Sequence, residues 1–209
     1  MSAKFTDEDK YNLRIQMIQL GFKMLKSGGI RGVNIDEITR ECYVAKGSFY
    51  TLFESKTEFL YQVMIYKRQE SKDKIKEYLS ADGQLSRDGL KAYLHWLADE
   101  NPNIFSYLDG QHTRWLVSKW PPEYLENEEN DEQTARRIIS LLSDPKADPD
   151  WKLFCNYLKL LALTLNSREL LIKDATDQLI GKLIEDACDC VCTKQKTISL
   201  LSDQSVLSS

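Results

Sequence analysis

Residues 34–60, NIDEITRECYVAKGSFYTLFESKTEFL, constrain the fold more than any other stretch of the chain. Asn34 is a good helix N-cap, and Glu37 follows three residues later, as in a capping box. Ile35 and Ile38 share one face, with Cys42 a turn further on. The spacing predicts a short helix, a tight turn near Tyr43 and Val44, and a second short helix over 45–53. In that second helix Phe49 and Phe53 lie four apart on the buried side. Lys46, Ser48, Tyr50 and Thr51 are left for the other faces. Residues 55–58, Ser-Lys-Thr-Glu, form a capping box that opens a third helix at once. Two short helices across a tight turn are the plan of a helix-turn-helix DNA reader.

The stretch resembles the tetracycline-repressor (TetR) family over about residues 10–62. Ile38, Val44, the run Lys46-Gly47-Ser48-Phe49-Tyr50, Phe53, Lys56, Glu58 and Leu60 carry the resemblance. Asn34 stands where the family usually has Thr, which is harmless for a cap. Tyr43 stands where the family prefers Gly. If that turn needs φ > 0, Tyr43 is strained by about 1–3 kcal/mol. Ala45 replaces a capping Ser, and Thr51 and Leu52 take positions often held by His and Tyr. These departures bear on the operator and its contacts rather than on the fold. The resemblance implies an all-α protein: a three-helix DNA-binding domain over residues 1–56, a larger helical effector-binding and dimerisation domain over 57–192, and a flexible tail over 193–209.

It also implies roles for single residues. Lys56 matches the family's phosphate-binding Lys, and Tyr50 its phosphate-contacting Tyr. Ser48 and Thr51 have short polar side chains suited to base edges or phosphate. Lys46 reaches a guanine or a phosphate, and Asn34 faces the DNA backbone.

Charge supports this division. The net is −4 overall, but residues 1–56 carry nine Lys/Arg against seven Asp/Glu, a net of +2. The remainder carries nineteen against twenty-five, a net of −6. A weakly basic head on an acidic body suits DNA binding through one face. The polar start of the chain and the lack of a long apolar run indicate a cytoplasmic protein without a membrane span.

Beyond the head the pattern stays helical. Tyr11, Ile15, Ile18, Phe22 and Leu25 make a buried stripe that Gly28-Gly29 ends. A fourth helix spans about 56–79, its outer half a solvated face. Asn101-Pro102 and Asp148-Pro149 are cap-plus-proline helix starts. The acidic run 126–132 reads as an exposed loop, followed by a helix over 133–142. Phe154, Leu158, Leu161 and Leu165 stripe one late helix. Leu179, Ile180, Leu183, Ile184, Ala187 and Val191 stripe the last. Two such helices are expected to pack against a twofold mate and make a homodimer.

Aromatic density between residues 61 and 157 suggests a mainly apolar pocket for a small hydrophobic effector. Its expected lining is Tyr61, Met64, Tyr93, Trp96, Trp115 and Trp120, with His112 and Tyr157 as polar handles. No cofactor is called for. A thiol- or metal-responsive regulator using Cys188, Cys190 and Cys192 is the alternative, although on a helix Cys190 points away from the other two. An enzyme on a helical scaffold is remote, because no nucleophile–base pair or metal-ligand spacing appears.

Overall fold

The computed structural model describes residues 6–100, 107–108, 110–120 and 128–193. Nine α-helices carry the described chain: α1 (Asp7–Gly32), α2 (Ile35–Glu41), α3 (Lys46–Leu52), α4 (Lys56–Lys74), α5 (Arg87–Glu100), α6 (Gly110–Val117), α7 (Glu128–Leu141), α8 (Trp151–Asn166) and α9 (Lys173–Val191). Among the described residues β-structure is limited to two isolated bridges, Leu85 with Leu142 and Pro145 with Cys192. The fold is all-α.

Local chemistry sets most boundaries. The Thr6 side chain accepts from the Asp9 amide while the Asp9 carboxylate accepts from the Thr6 amide, a full capping box. Gly29 breaks α1 with φ 60°, and the chain resumes one more turn. A Cβ there would also lie 3.1 Å from the Tyr107 carbonyl oxygen. Asn34 Oδ1 caps α2, accepting from the Asp36 and Glu37 amides. Ser55 Oγ accepts from the Glu58 amide at the start of α4. α4 gives way to a 3-10 turn, Ile75–Tyr78.

Two expected boundaries move. Residues 128–132 of the acidic run begin α7 rather than forming a loop. Asp150, not Asp148, caps α8, its carboxylate accepting from the Leu153 amide. The short helix expected after Asn101-Pro102 and the tail from 194 lie outside the described residues.

The core is in two parts. The head cluster joins Met17, Ile18, Phe22, Leu25, Ile38, Phe49 and Phe53 to Phe59, Leu60, Val63 and Met64 of α4. Leu116 and Trp120, on and just after α6, complete it. The body cluster holds Ile75, Leu90, Leu94, Phe154, Leu161 and Ile184 among others. The cores therefore divide within α4, between Met64 and Ile75, rather than at its start. Tyr11 is not part of the stripe it was expected to begin; it sits on the first turns of α1, beyond the packed head, and is exposed.

The expected dimer stripe is mostly interior. Phe154, Leu161, Ile180, Leu183, Ile184, Ala187 and Val191 are all buried within one subunit, and Leu158 and Leu165 pack against the same cluster. α8 and α9 spend these faces on each other and on α5. Of the expected set only Leu179 is exposed. The apolar side chains that α8 leaves outside are instead Leu153, Leu160 and Leu163.

Candidate nucleic-acid interface and internal cavity

The head is held together by its aromatic rings. Phe49, Phe53 and Phe59 stack edge-on or tilted, with centroids 4.8–5.2 Å apart. Gly21 lets α1 press onto this cluster, since a Cβ there would stand 2.4 Å from Phe59 Cζ. Arg14 spans α1 and α3: its guanidinium lies 4.6 Å over the Phe53 ring and donates to the Leu52 carbonyl at 2.6 Å. Nothing in the residue pattern around Arg14 announced this tie, because its partner is a backbone oxygen 38 residues away.

With Phe49 buried, α3 turns its other residues outward. Lys46, Tyr50 and Thr51 are exposed and Ser48 is half-buried. Lys46 is held 2.8 Å from Asp36 on α2, and that hydrogen bond raises its pKa. The Thr51 hydroxyl donates to the Gly47 carbonyl. Asn34 is exposed, but its side-chain oxygen is engaged as the α2 cap. Lys56 is the most altered from expectation. Its ammonium donates to the Ile30 and Val33 carbonyls at 2.8 and 2.7 Å, closing the end of α1, and burial lowers its pKa. Two of its three donors are thereby committed inside the head. Tyr43, in the turn between α2 and α3, does adopt φ 56° and is 95 % exposed. It is a large aromatic side chain beside the outward face of α3, and it was read from sequence only as a strained turn residue.

A cavity of about 740 Å³ lies between α4, α7 and α8, with α5 as its floor. Tyr61, Met64 and Tyr93 line it. Trp96, His112, Trp115, Trp120 and Tyr157 do not. Trp96 stacks on the far side of Tyr93, under the Lys74 ammonium. Trp120 is spent on the head: its indole N–H donates to the Thr57 carbonyl and its ring meets Tyr61 edge-on at 5.7 Å. Trp115 is exposed, His112 sits half-buried on α6, and Tyr157 packs against the body core. Aromatic density was a poor guide because these rings fill space.

The residues that do line the cavity include Lys67, Arg68 and Lys72 of α4, Arg137 of α7 and Lys159 of α8. Three of these, Lys67, Arg68 and Lys72, fall in the half of α4 expected to be a solvated face. Among the described residues Asp131 is the one lining carboxylate. Tyr93, on the floor, donates its hydroxyl to the Ser71 carbonyl at 3.0 Å, and burial pushes its pKa up to about 12. Tyr61 also borders a second cavity, between α3, the start of α4 and the end of α6.

The C-terminal cysteines do not form a reactive group. Cys188, Cys190 and Cys192 are all buried, and the Cys190 thiol donates to the Asp186 carbonyl. Burial pushes the Cys188 thiol up to about 12 and the Cys192 thiol up to about 11. Thiols so raised are protonated at neutral pH and are weak nucleophiles and ligands. Among the described residues no three His, Cys, Asp or Glu side chains are placed to hold a metal ion.

Comparison with known proteins agrees with the head. Residues 18–63 match the model of the bacterial regulatory proteins of the tetR family. No match was found among curated proteins. Among solved structures, a TetR family transcription regulator from Marinobacter aquaeolei VT8 superposes with a TM-score of 0.58 at 18% identity, covering 90% of this chain and 100% of that one. A TetR family regulator from Agrobacterium tumefaciens gives 0.59 at 13% identity, over 88% and 100%. The reduced form of E. coli NemR gives 0.53 at 17%, over 88% and 98%. At these identities the structures speak for fold alone, and the matched helix-turn-helix speaks for the reading head. Together they give residues 18–63 the DNA-binding head described for the bacterial tetR-family regulatory proteins, and the chain as a whole the fold of the TetR family regulators on which it superposes.

Proposed function

We propose that the protein is a repressor that binds a pseudo-palindromic operator as a homodimer and is released by a small effector bound in the 740 Å³ cavity. One observation carries this reading: α4 serves both sites. Its first turns, through Phe59 and Leu60, are built into the core under α3, and its later turns, from Tyr61 to Lys72, wall the cavity. A ligand that favours one tilt of α4 biases the placing of α3. For release, that ligand must bind the geometry unfit for DNA more tightly than the other.

On DNA, Lys46, Ser48, Tyr50 and Thr51 meet the major groove and its phosphates, and Tyr43 reaches the flanking backbone. Lys46 exchanges Asp36 for phosphate, and Asn34 and Lys56 hold the helices that present α3. The remaining N–H of Lys56 is available to a phosphate. The twofold mate packs on the outer face of α8, where Leu153, Leu160 and Leu163 are 43, 47 and 61% exposed. Leu170 and Ile172, each 80% exposed, and Leu179 continue that apolar surface toward α9. Three apolar side chains at spacings of seven and three on one solvent-facing stripe suit helix–helix packing better than water.

Selection of bound duplexes from a random pool tests the reading. A two-part symmetric site is expected, with half-sites about one helical turn apart, roughly 34–36 Å between reading heads. Recovery of no preferred sequence, or binding indifferent to salt, overturns it.

A further inference from the structure

We infer that the effector is an anionic amphiphile: a carboxylate or phosphate head on an apolar body, the head taken by Arg137 and Lys72 at the cavity rim and the body lying against Met64, Ile75, Leu97 and Leu158. This deepens the proposed effector site and rests on that reading.

The charge of the lining runs against the charge of its surroundings. Residues 57–209 carry nineteen Lys/Arg and twenty-five Asp/Glu. The cavity collects five of those cations, Lys67, Arg68, Lys72, Arg137 and Lys159, and one of those carboxylates, Asp131. Asp131 is matched by Lys159, which pairs with it directly. Lys67 is turned toward α1, with its ammonium 2.5 Å from Glu70 and 4.4 Å over the Phe22 ring. After those pairings the lining still carries Lys72 and Arg137, from two facing helices.

Arg137 lies at the open rim and reaches across it. Its guanidinium donates to the Lys72 carbonyl at 3.5 Å, which brings it across from α7 to α4. Its field also reaches the Tyr93 phenol on the cavity floor. Asp73, next to Lys72 on α4, also feels Arg137 but is held by Lys76 at 2.7 Å and Gln69 at 2.9 Å. A guanidinium offers paired N–H donors that match a carboxylate or phosphate edge, and an ammonium beside it adds a point charge. A cationic ligand head would meet like charge there, and a neutral one would leave those groups without a partner on the ligand. Below the rim the walls are aliphatic and aromatic, as cavities for small molecules of this volume usually are.

Three ligands of equal chain length separate the possibilities: decanoate, decan-1-ol and decylammonium, each below its micellar range, followed by thermal shift and calorimetry on the full chain. Decanoate is expected to bind at least tenfold tighter than decan-1-ol, with decylammonium weakest. Decyl phosphate in a fourth arm ranks the two anionic heads, and either order supports the assignment if both exceed the alcohol. The double variant Lys72→Gln, Arg137→Gln changes exposed side chains and is expected to fold. It should lose the decanoate advantage and leave decan-1-ol affinity within about twofold. Ala162→Phe, which fills the cavity, should weaken all arms together. Equal binding of the alcohol or the amine, or unchanged decanoate affinity in the double variant, overturns the anionic assignment and leaves an apolar effector site standing. Binding indifferent to Ala162→Phe overturns the assignment to this cavity. No binding in any arm overturns both the assignment and the effector site on which it rests.

Discussion

The head and the body of this chain bury similar residue types and put them to different uses. In the head, three phenylalanines meet ring to ring, and Gly21 presses close enough to Phe59 that even a methyl group would not fit. In the body, α4, α7 and α8 leave about 740 Å³ unfilled between them, with charged side chains at the edge. A filled core fixes one geometry, because close-packed interiors deform little. An unfilled one leaves its helices room to shift and rewards whatever fills it. The head therefore reads as a rigid tool, in the proposed mechanism the body is the part that answers to a ligand, and α4 belongs to both.

The largest expected effect tests this contrast. Phe59→Ala removes a fully buried ring from the head and should destabilise it by about 3–5 kcal/mol. Leu158→Ala enlarges a space that already exists and should cost under about 2 kcal/mol, below the usual range for a buried leucine. Denaturant unfolding of both variants measures the difference. Equal costs would mean that the cavity is collapsed in solution and that the two cores do not differ.

A second comparison sets the two faces of α8–α9 against each other. Leu183 is buried in the subunit core, so Leu183→Glu should unfold the body by leaving a charge without water or partner. Leu163→Glu lies on the outer face and should leave the subunit folded while abolishing the dimer. Operator affinity should then fall by 10²–10⁴-fold, because two weak heads are no longer linked. Light scattering and circular dichroism together decide it. A folded Leu163→Glu variant that remains dimeric would move the interface elsewhere.

Sequence carried the head well and the body badly, and the reason is range. Asn34, Ser55, Phe49 and Phe53 act on residues within a turn or two, so capping and helical spacing reveal them. The body's stripes were visible as stripes, but Phe154, Leu161 and Leu183 give no sign of whether their face meets α5 or a second subunit. That depends on which surface of α8 another helix reaches first. The tryptophans misled for a related cause: Trp120 is buried by a head residue 63 positions earlier, through the Thr57 carbonyl. Lys67, Arg68 and Lys72 looked like solvated surface because charge along a helix is usually that. The tie of Lys56 to Ile30 and Val33 was hidden because its partners are backbone oxygens, which any sequence supplies.

A smaller effect is expected at Tyr43, where the head departs from its own rigidity. A non-glycine residue at φ 56° costs about 1–2 kcal/mol. Gly would relieve that strain but adds freedom to the unfolded chain worth about 0.4–1 kcal/mol. Tyr43→Gly should therefore raise stability by about 1 kcal/mol or less. If the side chain serves DNA binding, operator affinity should fall as stability rises, and a variant that gains stability at unchanged affinity makes Tyr43 a turn residue only.

The smallest effect lies in the body, at the clasp between α5 and α9. Arg87 donates to Glu185 and Asp189, each at 2.8 Å, and Lys91 pairs with Glu185 from the next turn of α5. Hydrogen bonds from Lys91 and then Arg87 hold the Glu185 carboxyl below the ordinary glutamate range. A carboxyl whose folded pKa is depressed binds fewer protons folded than unfolded. Its contribution is complete above the ordinary glutamate value, near 4.5, and is lost as pH falls from there through the lower folded value. Glu185 is 39% exposed, so solvent screening keeps the contribution under about 1 kcal/mol. Glu185→Gln should be that much less stable than the parent at pH 7, and the gap should close as pH falls below about 4. The gap should also shrink in high salt. Because the clasp braces the helices beneath the cavity floor, the variant should leave operator binding of the ligand-free protein unchanged. A gap that persists undiminished at pH 3 would assign the loss to packing of the Glu185 side chain rather than to its charge.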